Sequence, residues 1–166
     1  VFGNAVVFGN AVVSGNAVVS GNAWVSGEAW VFGNAVVFGN AVVSGNAVVS
    51  GDALVSGSAH VTGDALVTGD ALVSGSALVY GSAHVTGAAQ VTSNADFAVI
   101  RGFGSAFRTT TFFKCSDGQI RTCCGCFYGT LDEFREKVKK THGDSKFAKE
   151  YLAIADLMEM HFKEEQ

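Results

Sequence analysis

The sequence predicts a mainly β protein: a parallel β-helix of about five triangular coils, followed by a small α+β module. Three observations carry that prediction. Residues 1–96 form sixteen consecutive hexads without an insertion, running from VFGNAV to VTSNAD. The 166 residues include 21 glycines and no proline, where average usage would place about eight prolines. All 11 Lys and Arg and all four Cys follow residue 96, whereas the first 96 residues carry only five charged side chains, all acidic: Glu28, Asp52, Asp64, Asp70 and Asp96. Two unlike parts therefore share the chain, residues 1–96 and 109–166, joined by a glycine-containing connection over 97–108 that reads as irregular.

Within the hexads, position one is Val and position five is Ala in all sixteen, and position three is Gly in fifteen, with Ser93 the exception. Side chains alternate along a strand, so Ala-x-Val-x sends Ala and Val to one face and the variable positions to the other. The invariant pair faces a cramped interior that admits one small and one β-branched residue per strand. Gly-Asn makes the corner, since both residues tolerate positive φ. A four-residue strand with a two-residue corner closes a triangle every three hexads. The missing proline agrees, because backbone N–H groups must pair between coils.

Runs such as VFGNAV, VSGNAW and VSGEAW resemble the hexapeptide-repeat, left-handed parallel β-helix family across residues 1–96. That resemblance implies left-handed winding. At the spacing of adjacent strands, sixteen hexads stack into a prism roughly 25 Å long.

Stacking hexads eighteen residues apart sorts the outward residues into three flat faces. One carries Phe2, Val18, Val36, Phe38, Leu54 and Leu72; a second Val6, Phe8, Trp24, Val42, His60, Leu78 and Tyr80; the third Val12, Trp30, Phe32, Val48, Leu66 and His84. A soluble monomer rarely exposes large contiguous apolar patches, so these faces are expected to meet another surface. The interface candidates are Phe8, Trp24, Trp30, Phe32, Phe38, Val42, Leu54, Leu66, Leu72, Leu78 and Tyr80. Val1 opens in mid-pattern with no capping helix, leaving a parallel edge for a longer native chain, or for a second copy stacked end to end or head to head.

In the second part, TTTFFKC and QIRTCCGCF flank Ser116-Asp117-Gly118-Gln119, a strong hairpin signal. A two-residue Asp117-Gly118 turn sets Cys115 against Ile120 and Cys124 against Thr111, with Cys123 on the opposite face. Thr130-Leu131-Asp132-Glu133 is a capping box opening a helix to about Thr141, with Leu131, Phe134 and Val138 on one face. A second helix is expected over roughly 145–162, with Tyr151, Leu152, Ala155 and Met158 as its apolar stripe. TTTFFK, CGCF, GTLDEF and THGDSKFAKEYL together resemble a small C-terminal module of bacterial and phage hexapeptide-repeat proteins, over residues 109–162, to which no activity is attached.

Cys115, Cys124, Cys126 and His142 are the metal candidates, with Cys123 beside them, but C-x7-C-C-x-C lacks the paired C-x2-C hooks of most zinc sites. In the expected register, Cys115 and Cys124 stand on the order of 13 Å apart, too far for a disulfide. Buried free thiols are the simpler reading. His60 and His84 invite comparison with hexapeptide acyltransferases, which use a histidine at a trimer interface. Here they fall on different faces, and no extended loop builds a cleft beside them. Ice binding would need regular threonine ranks, and Thr62, Thr68, Thr86 and Thr92 are spread over three faces. The glycines are corners and form no phosphate loop.

The composition, 48% hydrophobic and 16% charged, excludes collagen and simple disorder. Apolar runs of a few residues exclude a spanning helix, so no membrane partner is expected. The balanced charge of the second part argues against nucleic acid. The expected function is a non-enzymatic, self-assembling solenoid, a homo-oligomer or filament, with no cofactor; its C-terminal module caps, docks or recruits another protein. Two alternatives stay open: an acyltransferase-like or small-molecule-binding oligomer, and a bacterial or phage inhibitor of another protein. No leader is visible and the thiols look unpaired, which favours the cytoplasm, with an extracellular filament as the alternative.

Overall fold

A computed structural model describes residues 1–163. Fifteen two-residue strands, β1 (Val6–Val7) to β15 (Gln90–Val91), recur every six residues. They stack as three five-stranded parallel sheets, in which each residue pairs with the residue eighteen positions on, as Val6 does with Trp24 and Val12 with Trp30. This is the expected five-turn solenoid, with the regular pairing confined to two residues per edge rather than four. Ala and Val of the repeat are fully buried from Val19 to Val91, with no residue above 1% exposed, and form one continuous core. Corner glycines hold φ between 62° and 75°. Gly45 shows why the corner admits nothing larger: a Cβ there would lie 2.9 Å from the nitrogen of Gly63, one coil on. Corner asparagines form side-chain ladders along the rod, such as Asn4 to Asn22 to Asn40, at 3.2 Å per step.

The solenoid ends at the hexad in which Gly gives way to Ser93. Ser93 caps a short 3-10 helix, Asn94–Asp96, in a reciprocal capping box with Asp96. Burial acts to raise the Asp96 carboxyl, but hydrogen bonds from the backbone and hydroxyls of Thr92 and Ser93 outweigh it and hold the pKa below 3.8. Lys114 adds an ion pair at 3.3 Å.

Residues 97–108 are not the irregular connection that the sequence suggested. Phe97–Phe103 is strand β16, the first of a four-stranded antiparallel sheet with β17 (Arg108–Lys114), β18 (Ile120–Cys124) and β19 (Phe127–Thr130), in that order. The expected hairpin is the central pair of this sheet. Its register is also shifted by one residue: Cys115 pairs with Gln119, Lys114 faces Ile120, and Thr111 faces Cys123. The reason is the turn. Ser116, Asp117 and Gly118 make a three-residue loop with Gly118 at φ 77°, the left-handed position that such loops reserve for glycine.

One face of this sheet plugs the solenoid. Phe97, Phe113, Cys115 and Cys123 join the rod's core, Ala89 bridges to Cys115, and the N–H of Ser116 donates to the carbonyl of Ala88 at 3.0 Å. The last coil lacks a following coil, and side-chain oxygens replace it: Asn94 Oδ1 accepts from the N–H of Leu78, and Thr111 Oγ1 from that of His84. The other face, with Phe112, Ala98, Ile100 and Phe127, packs on two helices. These are α1 (Leu131–His142), opened by the expected Thr130–Glu133 capping box, and α2 (Lys146–Phe162), capped by Ser145. Leu131, Phe134 and Val138 of α1, and Tyr151, Ala155 and Met158 of α2, are buried as expected; Leu152 is half-buried, and Ile154 and Phe162 complete the stripe. Arg135 ties the helices together by pairing with Asp132, Asp156 and Glu159. No described helix is long and apolar enough to cross a membrane.

Candidate functional site

Six of the rod's seven exposed aromatic side chains lie in its first three coils, Tyr80 being the seventh. Phe2 is 66% exposed, Phe8 48%, Trp24 and Trp30 52% each; Phe32 and Phe38 are exposed as well. They lie on all three faces, with Phe8 and Trp24 in edge-to-face contact at 5.9 Å. Together they form an aromatic collar around the coil stack at the end away from the plug, where β1, β2 and β3 are the edge strands of the three sheets. Farther along, Val42, Leu54, Leu66 and Leu72 are half-buried within their own rows, while Leu78 and Tyr80 are exposed near the module. His60 and His84 are exposed on different sheets, so the chain itself brings no second imidazole to either.

The four cysteines are free thiols and the sheet divides them. Cys115 and Cys123 lie on the face that plugs the solenoid, and burial raises both thiols above 9.0. Sharing that face overturns the expectation that Cys123 points away from Cys115; the three-residue turn is the cause. Cys124 lies on the helix side, accepting a hydrogen bond from Thr110 Oγ1 at 3.2 Å. Cys115 is thereby separated from Cys124, Cys126 and His142, the other three metal candidates. Among the described residues, no three His, Cys, Asp or Glu side chains converge in a way that could hold a metal ion.

Cys124, Cys126 and His142 all line one cleft between the sheet and the helices. Phe127, Phe134, Tyr151, Arg108 and Lys137 line it as well, and its volume is about 250 Å³. The Tyr151 hydroxyl donates to the carbonyl of Phe103 at 3.2 Å, in the space that a Cβ on Gly104 would occupy. Burial, followed by the adjoining Cys124 thiol, pushes the phenol up to about 12. Tyr151 therefore keeps its proton at neutral pH. No motif spacing joins the residues of this cleft, which come from the β16–β17 turn, β17, β18, the β18–β19 turn, β19, α1 and α2.

The family model of the YdcK β-solenoid repeat matches residues 13–27, 29–45 and 43–57, all within the rod. No curated protein and no solved structure matches the chain. The match lies outside the C-terminal module, whose likeness to phage proteins gains no support from it. Repeat match and coil geometry agree on one conclusion: the chain is a β-solenoid repeat protein, five turns long, closed at one end by an antiparallel sheet and two helices.

Proposed function

We propose that this chain is a non-enzymatic scaffold that self-associates through the aromatic collar of its first coils, the occupant being a second copy of the same rod. One observation carries the reading: six large aromatic side chains ring the first coils at 37% to 66% exposure, on faces without a basic residue. Flat, regularly spaced faces suit an isologous pairing, in which one patch meets its own copy. Aromatic anchors supply most of the energy at such contacts. The module plugs the other end of the rod and leaves the collar uncovered. No observation favours the acyltransferase alternative, since His60 and His84 stand apart on open faces.

The test is mass by light scattering across a concentration series, followed by electron microscopy. Assemblies larger than the 17.2 kDa chain are expected. Trp24→Ser combined with Trp30→Ser should weaken association by roughly 30-fold or more, the equivalent of one lost hot-spot anchor. A concentration-independent monomer would overturn the proposal. So would an assembly indifferent to both tryptophans.

A further inference from the structure

We propose that the cleft between the sheet and the helices is a binding site for a small aromatic carboxylic acid, with its ring between Phe127, Phe134 and Tyr151 and its carboxylate on Arg108 and Lys137. The inference is independent of the assembly reading, since the cleft lies in the module and the collar on the rod.

Size and walls set the first constraint. A volume of about 250 Å³ equals that of roughly eight liquid waters, enough for one substituted ring. Phe134 meets both Phe127 and Tyr151 at 5.6 Å between ring centroids, so the walls already show aromatic edges and faces. A flat aromatic guest extends that packing.

Charge sets the second. Arg108, Lys137 and His142 border the cleft, and no carboxylate does. Two other arginines of the module are held internally: Arg121 grips Asp117 through two hydrogen bonds, and Arg135 holds three carboxylates. Among the described residues, neither Arg108 nor Lys137 has an ion-pair partner. Glu150, one residue before Tyr151, is engaged by the N–H of Gly104 at 3.1 Å and by Lys146. A planar guanidinium fits a carboxylate through two parallel hydrogen bonds, which selects that anion over a neutral guest.

The backbone supplies the third. Phe107 has φ 49°, the one non-glycine residue in the left-handed region among the described residues. It sits in the loop that brings Ser105, Ala106 and Arg108 to the cleft. For a bulky residue that conformation is strained, and such strain gathers where a loop is shaped for a ligand. Across the mouth, the Arg108 guanidinium occupies the place a Cβ on Gly125 would take, so the β18–β19 turn is cut back to admit it.

Benzoate is the probe, with benzamide as its neutral counterpart and inorganic phosphate as the anion without a ring, titrated into the full chain by ligand-observed NMR. Benzoate should saturate, and benzamide should bind about tenfold more weakly or worse. Arg108→Gln and Lys137→Gln should each weaken benzoate by about tenfold and leave benzamide unchanged. Lys140→Gln, on the same helix outside the cleft, should change neither. Both cleft residues are exposed, so unaltered melting temperatures are expected, and either variant alone suffices for the test. The proposal falls if benzoate fails to saturate below about 10 mM, if benzamide binds equally well, or if phosphate displaces benzoate at equal concentration. It falls as well if neither substitution matters.

Discussion

Rod and module solve the same problem, burying apolar surface, in opposite ways. In the rod every contact repeats one register, residue with residue eighteen positions on, and two residue types fill the whole interior. The module uses a register that shifts at a bulge between Ile100 and Phe103, with ten different buried residues between sheet and helices. Stability in the rod is a sum over like neighbours, whereas the module has one core that forms or fails together. Charge follows the same division. The rod needs none for its interior, while the module uses Arg121 and Arg135 to hold its turn and its helices.

The sharpest way to break this comparison is a charge inside the rod. Val55→Asp places a carboxylate in a fully buried stack with no partner, a loss on the order of 5 kcal/mol. Hydrogen exchange should rise first in the coils carrying Val37 and Val73, with α1 and α2 amides protected for longer. Equal exposure everywhere would mean that rod and module unfold as a single unit.

Phe112→Ala attacks the module instead. Phe112 is fully buried, edge-on to Phe134 at 6.0 Å, and its truncation should cost about 4 kcal/mol. Limited proteolysis should then cut within residues 97–163 while the first coils stay intact. Cleavage that begins in the rod would show that the plug governs the whole stack.

The smallest effect belongs to the joint. Asp96→Asn keeps an acceptor oxygen but removes the charge that strengthens the bonds from Thr92 and Ser93 and that pairs with Lys114, a loss of about 1 kcal/mol at neutral pH. The native carboxyl lies below 3.8, so its stabilisation is present above that pH. It drains away as pH falls through the lower, folded value, where the unfolded chain binds the proton more readily. The difference in melting temperature between Asp96→Asn and the parent should therefore shrink on acidification below pH 3.8. A difference that stays constant would remove Asp96 from the joint's pH dependence.

The rod was legible because its physics is local and repeated. Val at position one and Ala at position five announce the interior, and a spacing of eighteen places Trp24 and Trp30 on their faces before any coordinate is known. In the module, the helices were legible through Thr130 and Glu133, whose capping box is a local signal. Phe97–Phe103 was not, because its two faces meet two different cores. Phe97 and Val99 join the rod, Ala98 and Ile100 the helices, and the alternation that marks a strand disappears. The hairpin register turned on one extra turn residue, a difference the sequence leaves open wherever Asp-Gly follows Ser. Ser93 was visible as the broken corner, and Asp96 three positions on completed a cap that the repeat disguised as its last hexad. The metal candidates are a loose set in the sequence, without the spacing of a zinc site. Only the sheet's two-sidedness shows which of them share a space.

The eighteen-residue pairing has a consequence for how such a chain can change in length. Gaining or losing three hexads moves the module along the axis by about 4.8 Å and returns it to the same bearing relative to the collar. Gaining or losing a single hexad swings it by a third of a turn, so that the cleft faces a different neighbour in any fixed assembly. Because the hexads are nearly interchangeable, copy number becomes an adjustable dial, with azimuth restored at every third step.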